Sequence, residues 1–488
     1  MSSFEEIRNN RIQKLEALKA QGINPFPIDS KRDFSLSEVI EKFGTLSKSN
    51  KEISICGRIM SLRPQGALAF FTLDDGTARF QGLIKKGEVS EKDYDLFEKT
   101  TDVGDFVEIK GPLFTTARGE KSLQVLSWKM LSKSLRPLPE KWHGLQDADE
   151  RFRRRYLDTL MSPEVKQRFL LRSQIIREVR TFLDKADFLE VETPMLQPLS
   201  GGASAEPFVT HHNALDMDLF LRIAPELYLK KLLIGGFPKV YEINRNFRNE
   251  GIDVTHNPEV TMLEFYESFS NKTEQMAFTE KMLKSVVKKI FKKASFEFDG
   301  QTIDFSKKFA VISYLDLLKR HALISNPESI TLDEARLKAT QLGVKVAPGD
   351  PVQKIIDNIY KKTCRPKIVQ PTFIVDYPAD YLPLAKKKDD NQALVDVFQL
   401  VVAGIEVVKA FSELNDPIDQ RARFEKQEEN KKQGDTEAQS TDEEFIEAME
   451  YGMPPAGGVG VGIDRLVMLL TNTKNIKEVI LFPTMRHK

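Results

Sequence analysis

The order of strand-like and helical segments is the sequence feature that most restricts the fold of this chain. Strand-like runs occupy 188–267, a Lys-rich helical region follows at 272–293, a mixed segment extends to 370, and strands resume at 371–411. The strands therefore follow one another in hairpin order and the helices are grouped, whereas a doubly wound α/β fold alternates the two. The sequence predicts an α+β domain built on an antiparallel sheet.

The N-terminal part of the chain has a different pattern. Residues 4–20 have apolar side chains at helical spacing and predict an amphipathic helix. From 51 to 133, short alternating runs are separated by Gly, Asp and Lys turns, which is typical of a small β-barrel. The proline-punctuated segment RPLPEKWHGLQD, 136–147, is predicted to link this barrel to a larger domain. We therefore expect a helix and lead-in at 1–48, a barrel at 49–140 and the larger domain at 141–488.

Composition narrows the classes of function. The chain has 488 residues, enough for roughly three domains, and its 72 Lys and Arg residues equal its 72 Asp and Glu residues. A nucleic-acid partner must therefore be bound by local contacts and not by an overall positive field. Cys56 and Cys364 form no CxxC pair, which argues against a thiolate zinc site and a disulfide framework. No stretch approaches the roughly 18 apolar residues of a membrane span, and we expect a cytoplasmic protein without membrane partners.

The segment YEINRNFRNEGIDVTHNPEVTMLEFY, 241–266, is too polar on one side to serve only as core. With a period of two, one face of its first strand carries Glu242, Asn244, Asn246 and Arg248. After a loop with turn residues, a second strand places Glu264 and Tyr266 on one face. The predicted hairpin brings Arg248 and Glu264 to one polar floor, with Glu250 and His256 on the loop above. A solvated hairpin with surface ion pairs is the alternative.

Arginine is suited to phosphate because its rigid fork donates two parallel hydrogen bonds and stays charged at any working pH. A second candidate is Arg465, in the glycine-rich C-terminal segment GGVGVGIDRLVMLL. This segment lacks the GxGxxG spacing of a dinucleotide site, and the chain lacks GxxxxGK[ST]. Either its small residues let a strand pack tightly against the helix that begins near Asp464, or Arg465 reaches a phosphate from that helix's first turn.

Three ordered motifs resemble those of class II aminoacyl-tRNA synthetases. DFLEVETPML (187–196) resembles motif 1, FRNEG with HNPE resembles motif 2, and GVGVGIDR resembles motif 3. Within that class, three further segments are similar to bacterial-type lysyl-tRNA synthetases: SGGASAEPFVTHHNALDMDLFLRIAPELYLK (200–230), HNPEVTMLEFY and FSELNDPIDQ (411–420). The resemblance covers nearly the whole chain.

The resemblance implies a domain arrangement and a reaction. The barrel at 49–140 would be an OB-fold anticodon-binding domain, and 141–488 a catalytic domain with a mostly helical insertion at 272–370 between motifs 2 and 3. The protein would be a homodimer whose interface includes motif 1 with Pro194. L-lysine and ATP would form lysyl-adenylate with Mg2+ as cofactor, in a number of ions left open, and lysine would pass to the terminal adenosine of tRNA(Lys).

The resemblance also implies roles for single residues. Arg248 would bind the α-phosphate, Glu250 the adenine amino group, and His256 and Arg465 the γ-phosphate side, with Asn257 beside them; Arg248 and Arg465 would be catalytic. Lysine would be bound by Gly202, Glu226 and Glu264 at its ammonium groups, by Glu413 and Tyr266 at the side-chain end, and by Lys409. Anticodon nucleotides would contact Arg63, Phe70, Gln81 and Glu120. Each acid has an alternative as an ordinary ion pair, and Phe70 as a core residue.

Four positions depart from the family pattern: Val260 replaces an aromatic residue, Gln399 a metal-binding glutamate, Lys409 an asparagine and Glu206 an arginine. One hypothesis is that Lys409 partly substitutes for a bound Mg2+ or holds the substrate carboxylate, which leaves Glu406 as the main protein ligand of the metal. Strict alternation places Glu406 and Lys409 on opposite faces, so this hypothesis requires a β-bulge between them. The alternative is drift without mechanistic consequence.

Two other functions stay open at this point. The chain could be a synthetase paralogue that lysylates a protein, although the intact barrel argues against this. It could also be a catalytically silent RNA-binding or regulatory protein, although the retained Arg248, Glu250, His256, Glu413 and Arg465 argue against that.

Overall fold

The computed structural model describes residues 3–139, 145–203, 205–347, 349–432 and 440–486. The chain divides into two compact units, Met1–Leu145 and Gln146–Lys488, and not into the three that its length suggests. Part of the predicted linker, residues 140–144, lies outside the described residues.

The first unit contains four helices and seven strands in its described part. The helices are α1 (Phe4–Ala20), α2 (Leu36–Glu41), α3 (Phe43–Lys48) and α4 (Glu91–Thr100). The strands are β1 (Ile53–Gln65), β2 (Leu68–Asp74), β3 (Arg79–Lys85), β4 (Phe106–Gly111), β5 (Leu113–Thr115), β6 (Lys121–Gln124) and β7 (Ser127–Ser132). The N-terminal helix is confirmed, and a capping box of Ser3 with Glu6 satisfies the backbone donors at its start.

The seven strands form one sheet in the order β5-β6-β3-β2-β1-β4-β7. In the part of this unit that the structure describes, the end strands β5 and β7 do not pair with each other. The expected β-barrel is therefore corrected to a partly open one. Pro112 stands between β4 and β5 and has no N–H to donate, so it interrupts the ladder at this point. Alternate residues of β1 to β4, among them Ile55, Phe71 and Ile109, fill the core.

The second unit begins with three helices and is built on a large sheet. Its helices are α5 (Ala148–Arg153), α6 (Arg155–Met161), α7 (Pro163–Asp184), α8 (Glu226–Ile234), α9 (Lys272–Phe291), α10 (Tyr314–Leu317), α11 (Leu332–Gln341), α12 (Val352–Ile359), α13 (Pro417–Lys432), α14 (Glu443–Glu450) and α15 (Ile463–Leu470). Short π-helical turns, Leu318–Ala322 and Tyr360–Cys364, follow α10 and α12. Single 3₁₀ turns occupy Arg365–Lys367, Ala379–Tyr381 and Ile476–Glu478.

The strands of this unit are β8 (Leu189–Glu190), β9 (Leu196–Gln197), β10 (Phe208–His212), β11 (Met217–Leu221), β12 (Lys239–Phe247), β13 (Glu259–Ser268), β14 (Ser295–Phe298), β15 (Gln301–Asp304), β16 (Ala310–Ser313), β17 (Thr372–Pro378), β18 (Leu394–Val402), β19 (Ile405–Ser412) and β20 (Ala456–Gly462). Eight of them form one sheet in the order β16-β17-β18-β19-β20-β13-β12-β8. Only the outermost pairs, β16 with β17 and β8 with β12, are parallel. The predicted antiparallel α+β architecture is confirmed.

Two segments of the second unit differ in detail from the sequence-based expectation. The run 188–267, taken as strand-like, contains helix α8 between β11 and β12. Helix α9, which lies in the predicted insertion, packs its Met282, Leu283, Val286 and Val287 into the main core together with side chains of α7 and α15. Side chains of β14, β15 and the residues after them, such as Phe296, Ile303 and Phe309, join the same core, whereas the buried side chains from Tyr314 onward belong to a second cluster around Tyr314, Ile355 and Tyr360.

The large sheet buries one face and leaves the other open to a cavity. Leu263 and Phe265 of β13 and Val459 and Val461 of β20 are fully buried in the core. Because side chains alternate along a strand, Glu264 and the glycines of β20 face the opposite side. A single face of this sheet is therefore free to carry polar groups.

Strand β19 contains the bulge that the sequence requires. Leu400 of β18 pairs with Val408, but the next residue, Val401, pairs with Glu406, so Val407 is an extra residue on β19. Val407 and Val408 are consecutively buried, and the alternation changes phase between them. Glu406 therefore joins Lys409 on the open face of the sheet.

Candidate active site

A cavity of about 300 Å³ lies on the open face of the large sheet. Its lining includes every residue of the second unit for which the sequence predicted ATP, lysine or metal binding: Gly202, Glu226, Arg248, Glu250, His256, Asn257, Glu264, Tyr266, Glu406, Lys409, Glu413 and Arg465. The predicted hairpin is confirmed, since β12 and β13 pair along their full length with Glu242 opposite Glu264. The structure thus brings together residues that span more than half of the chain.

The glycine-rich strand β20 forms the floor of this cavity. Gly458, Gly460 and Gly462 line it, while the valines between them pack into the core. A Cβ atom at Gly458 would lie 1.9 Å from Glu413 Oε1 and 2.4 Å from Tyr266 Cε1. Glycine is therefore required here to leave room for the two side chains, and the packing of a helix is not its main purpose.

One end of the cavity is basic. Arg248 follows β12 directly, and its Nε is buried without a hydrogen-bond partner among the described residues. Arg465 lies in the first turn of α15 and donates from Nη1 to the carbonyl oxygen of Glu406, at 3.1 Å. Burial lowers the pKa of Arg465, and the nearby Arg365 and Arg248 act in the same direction. Two guanidinium groups that repel each other here form a site for an anion such as phosphate.

A buried ion pair positions Arg465. Arg172 of α7 donates to Asp464 Oδ1 at 2.6 Å and to Thr261 Oγ1 at 2.9 Å. The other oxygen of Asp464 accepts the backbone N–H of Thr261 at 2.8 Å. Helix α15 is therefore fixed to β13 at the residue that precedes Arg465.

Besides Arg248, the loop between β12 and β13 carries three of the predicted residues. His256 Nδ1 lies 2.9 Å from Asp253 Oδ2, and hydrogen bonds from Thr255 and His256 lower the pKa of Asp253 to about 2 despite its partial burial. Asn257 donates to the carbonyl oxygen of Glu259, and its own Oδ1 is buried without a hydrogen-bond partner in the described chain. Glu250 is exposed at the cavity rim.

The other end of the cavity is acidic. Glu226, Glu264 and Glu413 are only 7%, 5% and 1% exposed. Tyr266 donates its hydroxyl to Glu264 Oε2 at 3.1 Å. Burial raises the pKa of both Glu264 and Glu413 to about 8; the charge of Glu226 adds to this, while Lys230 opposes it at Glu413. Buried carboxylates of this kind bind cations, because an ammonium group restores the lost solvation.

Gly202 closes this end of the cavity against α8. Its φ of +87° lies in the left-handed region, and a Cβ atom would lie 3.1 Å from Glu226 Cβ. A residue other than glycine would be strained and would push Glu226 aside.

Two buried cations that sequence reasoning missed lie behind the acids. Arg222 donates to Glu242 Oε1 at 2.6 Å, which neutralises an acid that the polar face of β12 had suggested for the site. Lys230 is fully buried and lies 2.6 Å from Glu226 Oε1 and 2.5 Å from Glu413 Oε2. The second contact is a short, fully buried ion pair. The i,i+4 spacing of Glu226 and Lys230 was the available signal, but such spacing usually marks a surface pair.

The four departures from the family pattern differ in their positions. Val260 and Lys409 line the cavity, whereas Gln399 and Glu206 do not. Gln399 lies opposite Lys409 across β18 and β19, and it accepts a hydrogen bond from the Tyr377 hydroxyl at 2.7 Å. Glu206 is exposed and contributes its backbone carbonyl to Asn249. Two of the four departures therefore lie in the cavity itself.

The acidic side chains near the basic end of the cavity are compatible with a metal ion that is bound mainly by the phosphates of a substrate. Among the described residues, no group of three or more His, Cys, Asp or Glu is placed to hold a metal ion. Glu406, brought to the cavity by the bulge, offers one carboxylate beside the basic end. Mg2+ is commonly held by one or two carboxylates together with substrate phosphates and water, so this arrangement is compatible with it.

Three of the four predicted RNA-binding residues, Arg63, Phe70 and Gln81, share one face of the sheet of the first unit. Arg63 pairs with Phe70, and Gln81 pairs with Thr72, the residue two positions after Phe70. Phe70 is half-buried and lies outside the core, which its neighbour Phe71 occupies at 1% exposure. Gln81 donates to Ser122 Oγ, and Glu120 is exposed in the turn before β6. An aromatic ring with polar neighbours on an open sheet face is a stacking surface for a base.

Pro194, the predicted interface residue, is exposed beside an apolar surface. Leu189, Met195, Leu196 and Leu199 are each between 40% and 49% exposed. Leu189 belongs to β8, the edge strand of the large sheet.

No helix in the described ranges is long and apolar enough to cross a membrane.

Comparisons with known proteins agree with this geometry. The family model of class II tRNA synthetases (D, K and N) matches residues 147–486, and the model of the OB-fold nucleic acid binding domain matches residues 53–131. The first match covers the cavity, and the second covers the sheet face that carries Phe70.

Full-length relatives give the subgroup. The lysine–tRNA ligase of Pelotomaculum thermopropionicum is 48% identical over 485 residues, which are 99% of this chain and 95% of the relative. Those of Moorella thermoacetica and Syntrophomonas wolfei are each 46% identical, over 98% and 99% of this chain and 97% and 98% of their own lengths. The chain therefore belongs to the class II tRNA synthetases and, within them, to the lysine–tRNA ligase family.

Proposed function

We propose that this chain activates L-lysine with ATP to form lysyl-adenylate and then transfers the lysyl group to the 3′ end of tRNA(Lys). One observation carries the proposal: a single cavity has two guanidinium groups at one end and three buried carboxylates at the other. The first end suits a triphosphate, and the second suits an amino acid with a cationic tail.

Activation needs no protein nucleophile. The lysine carboxylate attacks the α-phosphorus of ATP, the bond to the bridging oxygen breaks, and pyrophosphate leaves with the electron pair. In the proposed arrangement Arg248 stabilises the charge on the α-phosphate, Arg465 and His256 bind the γ-phosphate side, and Glu250 and Asn257 contact the nucleotide. The contribution of the protein is then positioning and electrostatic stabilisation. A ribose hydroxyl of the tRNA next attacks the lysyl carbonyl, and AMP leaves.

Lysine would lie at the acidic end. Glu226, Glu264 and Gly202 would receive its α-ammonium group, and Glu413 with Tyr266 its side-chain ammonium. A buried acid is left uncompensated by a substrate that lacks an ammonium group, so neutral amino acids can be rejected by factors on the order of 10⁴.

The site assignment predicts a pH dependence of lysine affinity. Burial raises the pKa of Glu264 and Glu413 to about 8, so both carboxyl groups carry protons in the free protein below that pH. The ammonium groups of lysine bind the ionised carboxylates, so lysine binding must displace these protons. Below pH 8 the affinity for lysine therefore falls by about tenfold per pH unit for each proton displaced. The Kd for lysine should therefore fall as the pH rises toward 8 and then level off.

Calorimetry in two buffers of different ionisation enthalpy measures both the affinity and the protons released. Release of between one and two protons per lysine near pH 7 is expected. Glu264→Gln should remove one of them. A Kd that does not change between about pH 6.5 and pH 8 would contradict this assignment of the acids.

Mg2+ is proposed to accompany ATP, with Glu406 as its protein ligand. When bound, the metal neutralises charge on the phosphate oxygens. Lys409 lies on the same face as Glu406, and burial lowers its pKa while the charge of Glu406 opposes this. We propose that Lys409 supplies part of the positive charge near the phosphates or the lysine carboxylate.

Lys409→Asn tests this role. The variant loses one positive charge in the cavity, so it is expected to need a several-fold higher Mg2+ concentration for half-maximal ATP–pyrophosphate exchange. Titration of Mg2+ against wild type and variant measures the difference. Superimposable Mg2+ titration curves would show that the positive charge of Lys409 does not substitute for part of the charge of Mg2+.

Anticodon recognition is proposed for the outer face of the first unit, by Arg63, Phe70, Gln81 and Glu120. Phe70→Ala removes a stacking ring worth roughly 1 to 3 kcal/mol, which corresponds to a rise of about 5- to 150-fold in the KM for tRNA. Lysine-dependent exchange should be unchanged, because it needs no tRNA. Phe71→Ala is the contrasting control: its ring is in the core, so it should lower the melting temperature instead. An unchanged KM for tRNA in Phe70→Ala would remove this residue from the interface.

The assembly and location are part of the proposal. We propose a homodimer that covers the apolar surface around Pro194, and a cytoplasmic location, where ATP and tRNA are available. We also propose domain limits of 49–140 and 141–488. Light scattering of wild type gives the mass of the assembly, and a monomeric mass would contradict the dimer.

One pair of assays tests the function itself. Lysine-dependent ATP–pyrophosphate exchange should be followed by charging of tRNA with a lysine anticodon. Exchange without charging would instead indicate a paralogue with another acceptor, and the lack of both activities would indicate a silent RNA-binding protein.

A further inference from the structure

The fully buried Lys230 is not used by the proposed reaction. It lies one turn into α8, at 0% exposure, with its Nζ between Glu226 Oε1 and Glu413 Oε2. The ring of Phe411 lies 5.5 Å from the same nitrogen and covers it. Burial alone would lower the pKa of Lys230, but the two carboxylates outweigh this and raise it, so the side chain is an ammonium ion.

The ammonium group touches the two acids that would bind opposite ends of the substrate. In the proposed function Glu226 receives the α-ammonium and Glu413 the side-chain ammonium. Lys230 occupies only one oxygen of Glu413, and the other, Oε1, is buried without a hydrogen-bond partner in the described part of the chain. That oxygen lies above Gly458, on the floor of the cavity. The free oxygen is therefore held in a position where a ligand can reach it.

The charge balance of the acidic end depends on the same residue. Glu242 is already neutralised by Arg222. When all three are ionised, as in the proposed complex with lysine, the buried carboxylates of Glu226, Glu264 and Glu413 face one buried ammonium, which leaves two negative charges for the ligand to balance. Lysine brings two ammonium groups. Without Lys230, a third negative charge would lack a cationic partner in the lysine complex. Neighbouring buried carboxylates without such a partner share a proton, and the protonated oxygen no longer accepts a hydrogen bond from the ligand.

We propose that Lys230 is a positioning residue for amino-acid specificity, which orients Glu226 and Glu413 and sets the acidic end to accept a substrate with two ammonium groups. This inference rests on the proposed assignment of the cavity to lysine. It adds to that assignment a residue that does not line the cavity and does not touch the substrate.

Lys230→Met tests the inference, because methionine retains much of the apolar stem and removes the charge. The KM for lysine in ATP–pyrophosphate exchange should rise at least about 30-fold, while kcat and the KM for ATP change by less than about threefold. A purely structural role would instead lower the amount of active protein, and hence kcat, at unchanged KM for lysine. Lys230→Arg retains the charge and should lie closer to wild type in KM.

Lys231→Met is the matched control. Lys231 is the next residue of α8, its side chain is 24% exposed, and its ammonium group lies 3.4 Å from the exposed Glu444. The same substitution at this position should leave the KM for lysine and the kcat unchanged.

The results with these variants decide whether Lys230 contributes to lysine specificity. An unchanged KM for lysine in folded Lys230→Met overturns the inference. If that variant does not fold, Lys230→Gln is measured in its place; if this also fails to fold, Lys230 serves folding and the specificity role is overturned. Glu413→Gln, measured in parallel, separates the two levels: an unchanged KM for lysine there contradicts the proposed lysine site itself.

Discussion

Replacement of Arg248 by alanine is expected to lower the rate of lysine-dependent ATP–pyrophosphate exchange by about 10³-fold. Arg248 is the residue that the structure places at the end of β12, with a buried Nε that no described residue satisfies. In the proposed site its donors stabilise charge at the reacting phosphate, and an interaction made mainly in the transition state lowers kcat when it is lost. Steady-state exchange kinetics at saturating ATP and lysine measure the effect.

Arg245→Ala is the matched control for Arg248. Arg245 belongs to the same strand, but its side chain is 40% exposed and lies 3.5 Å from Glu259 on the outer surface. Its loss should change the exchange rate by less than about twofold, as expected for a surface ion pair. Comparable losses in the two variants would show that the effect at Arg248 comes from general destabilisation.

Replacement of Glu413 by glutamine is expected to raise the KM for lysine by about 10³-fold. The substitution keeps the shape of the side chain and removes the charge that would face the side-chain ammonium of lysine. The KM for ATP should change little, because the nucleotide binds at the basic end of the cavity. Exchange measured against lysine concentration, with ATP saturating, gives the comparison.

Glu444→Gln controls for the loss of one negative charge. Glu444 lies in α14 with 80% of its side chain exposed. This variant should retain the KM of wild type for lysine. A wild-type KM in Glu413→Gln would mean that the buried acid does not select lysine.

Strand alternation predicted only part of the site, such as the position of Glu264; the roles of residues outside the strands, among them Glu226, Glu413 and Arg465, were implied by the resemblance to the family. The period of two predicts Glu264 on the face opposite Phe265. The same alternation separates Glu406 from Lys409, so the expected role of Glu406 requires a β-bulge in this strand. The extra residue at Val407 supplies it. A position at which strand alternation conflicts with the expected role of a side chain can therefore indicate a β-bulge.

What the sequence could not predict depends on distant partners. The polar face of β12 indicated a site, but Glu242 is neutralised by Arg222, which comes from the end of β11. Lys230 resembled an ordinary surface residue at helical spacing, and only tertiary burial makes it a partner of Glu413. The partly open sheet of the first unit was also beyond prediction, since alternation does not reveal whether the end strands pair.

The central claim is that one cavity binds a nucleotide at its guanidinium end and lysine at its acidic end. A crystal structure of the protein with a non-hydrolysable analogue of lysyl-adenylate tests this most directly. We predict the phosphate mimic within about 3 Å of the Arg248 guanidinium and the side-chain ammonium within about 3 Å of Glu413. An analogue bound in the reverse orientation, or outside this cavity, would contradict the account.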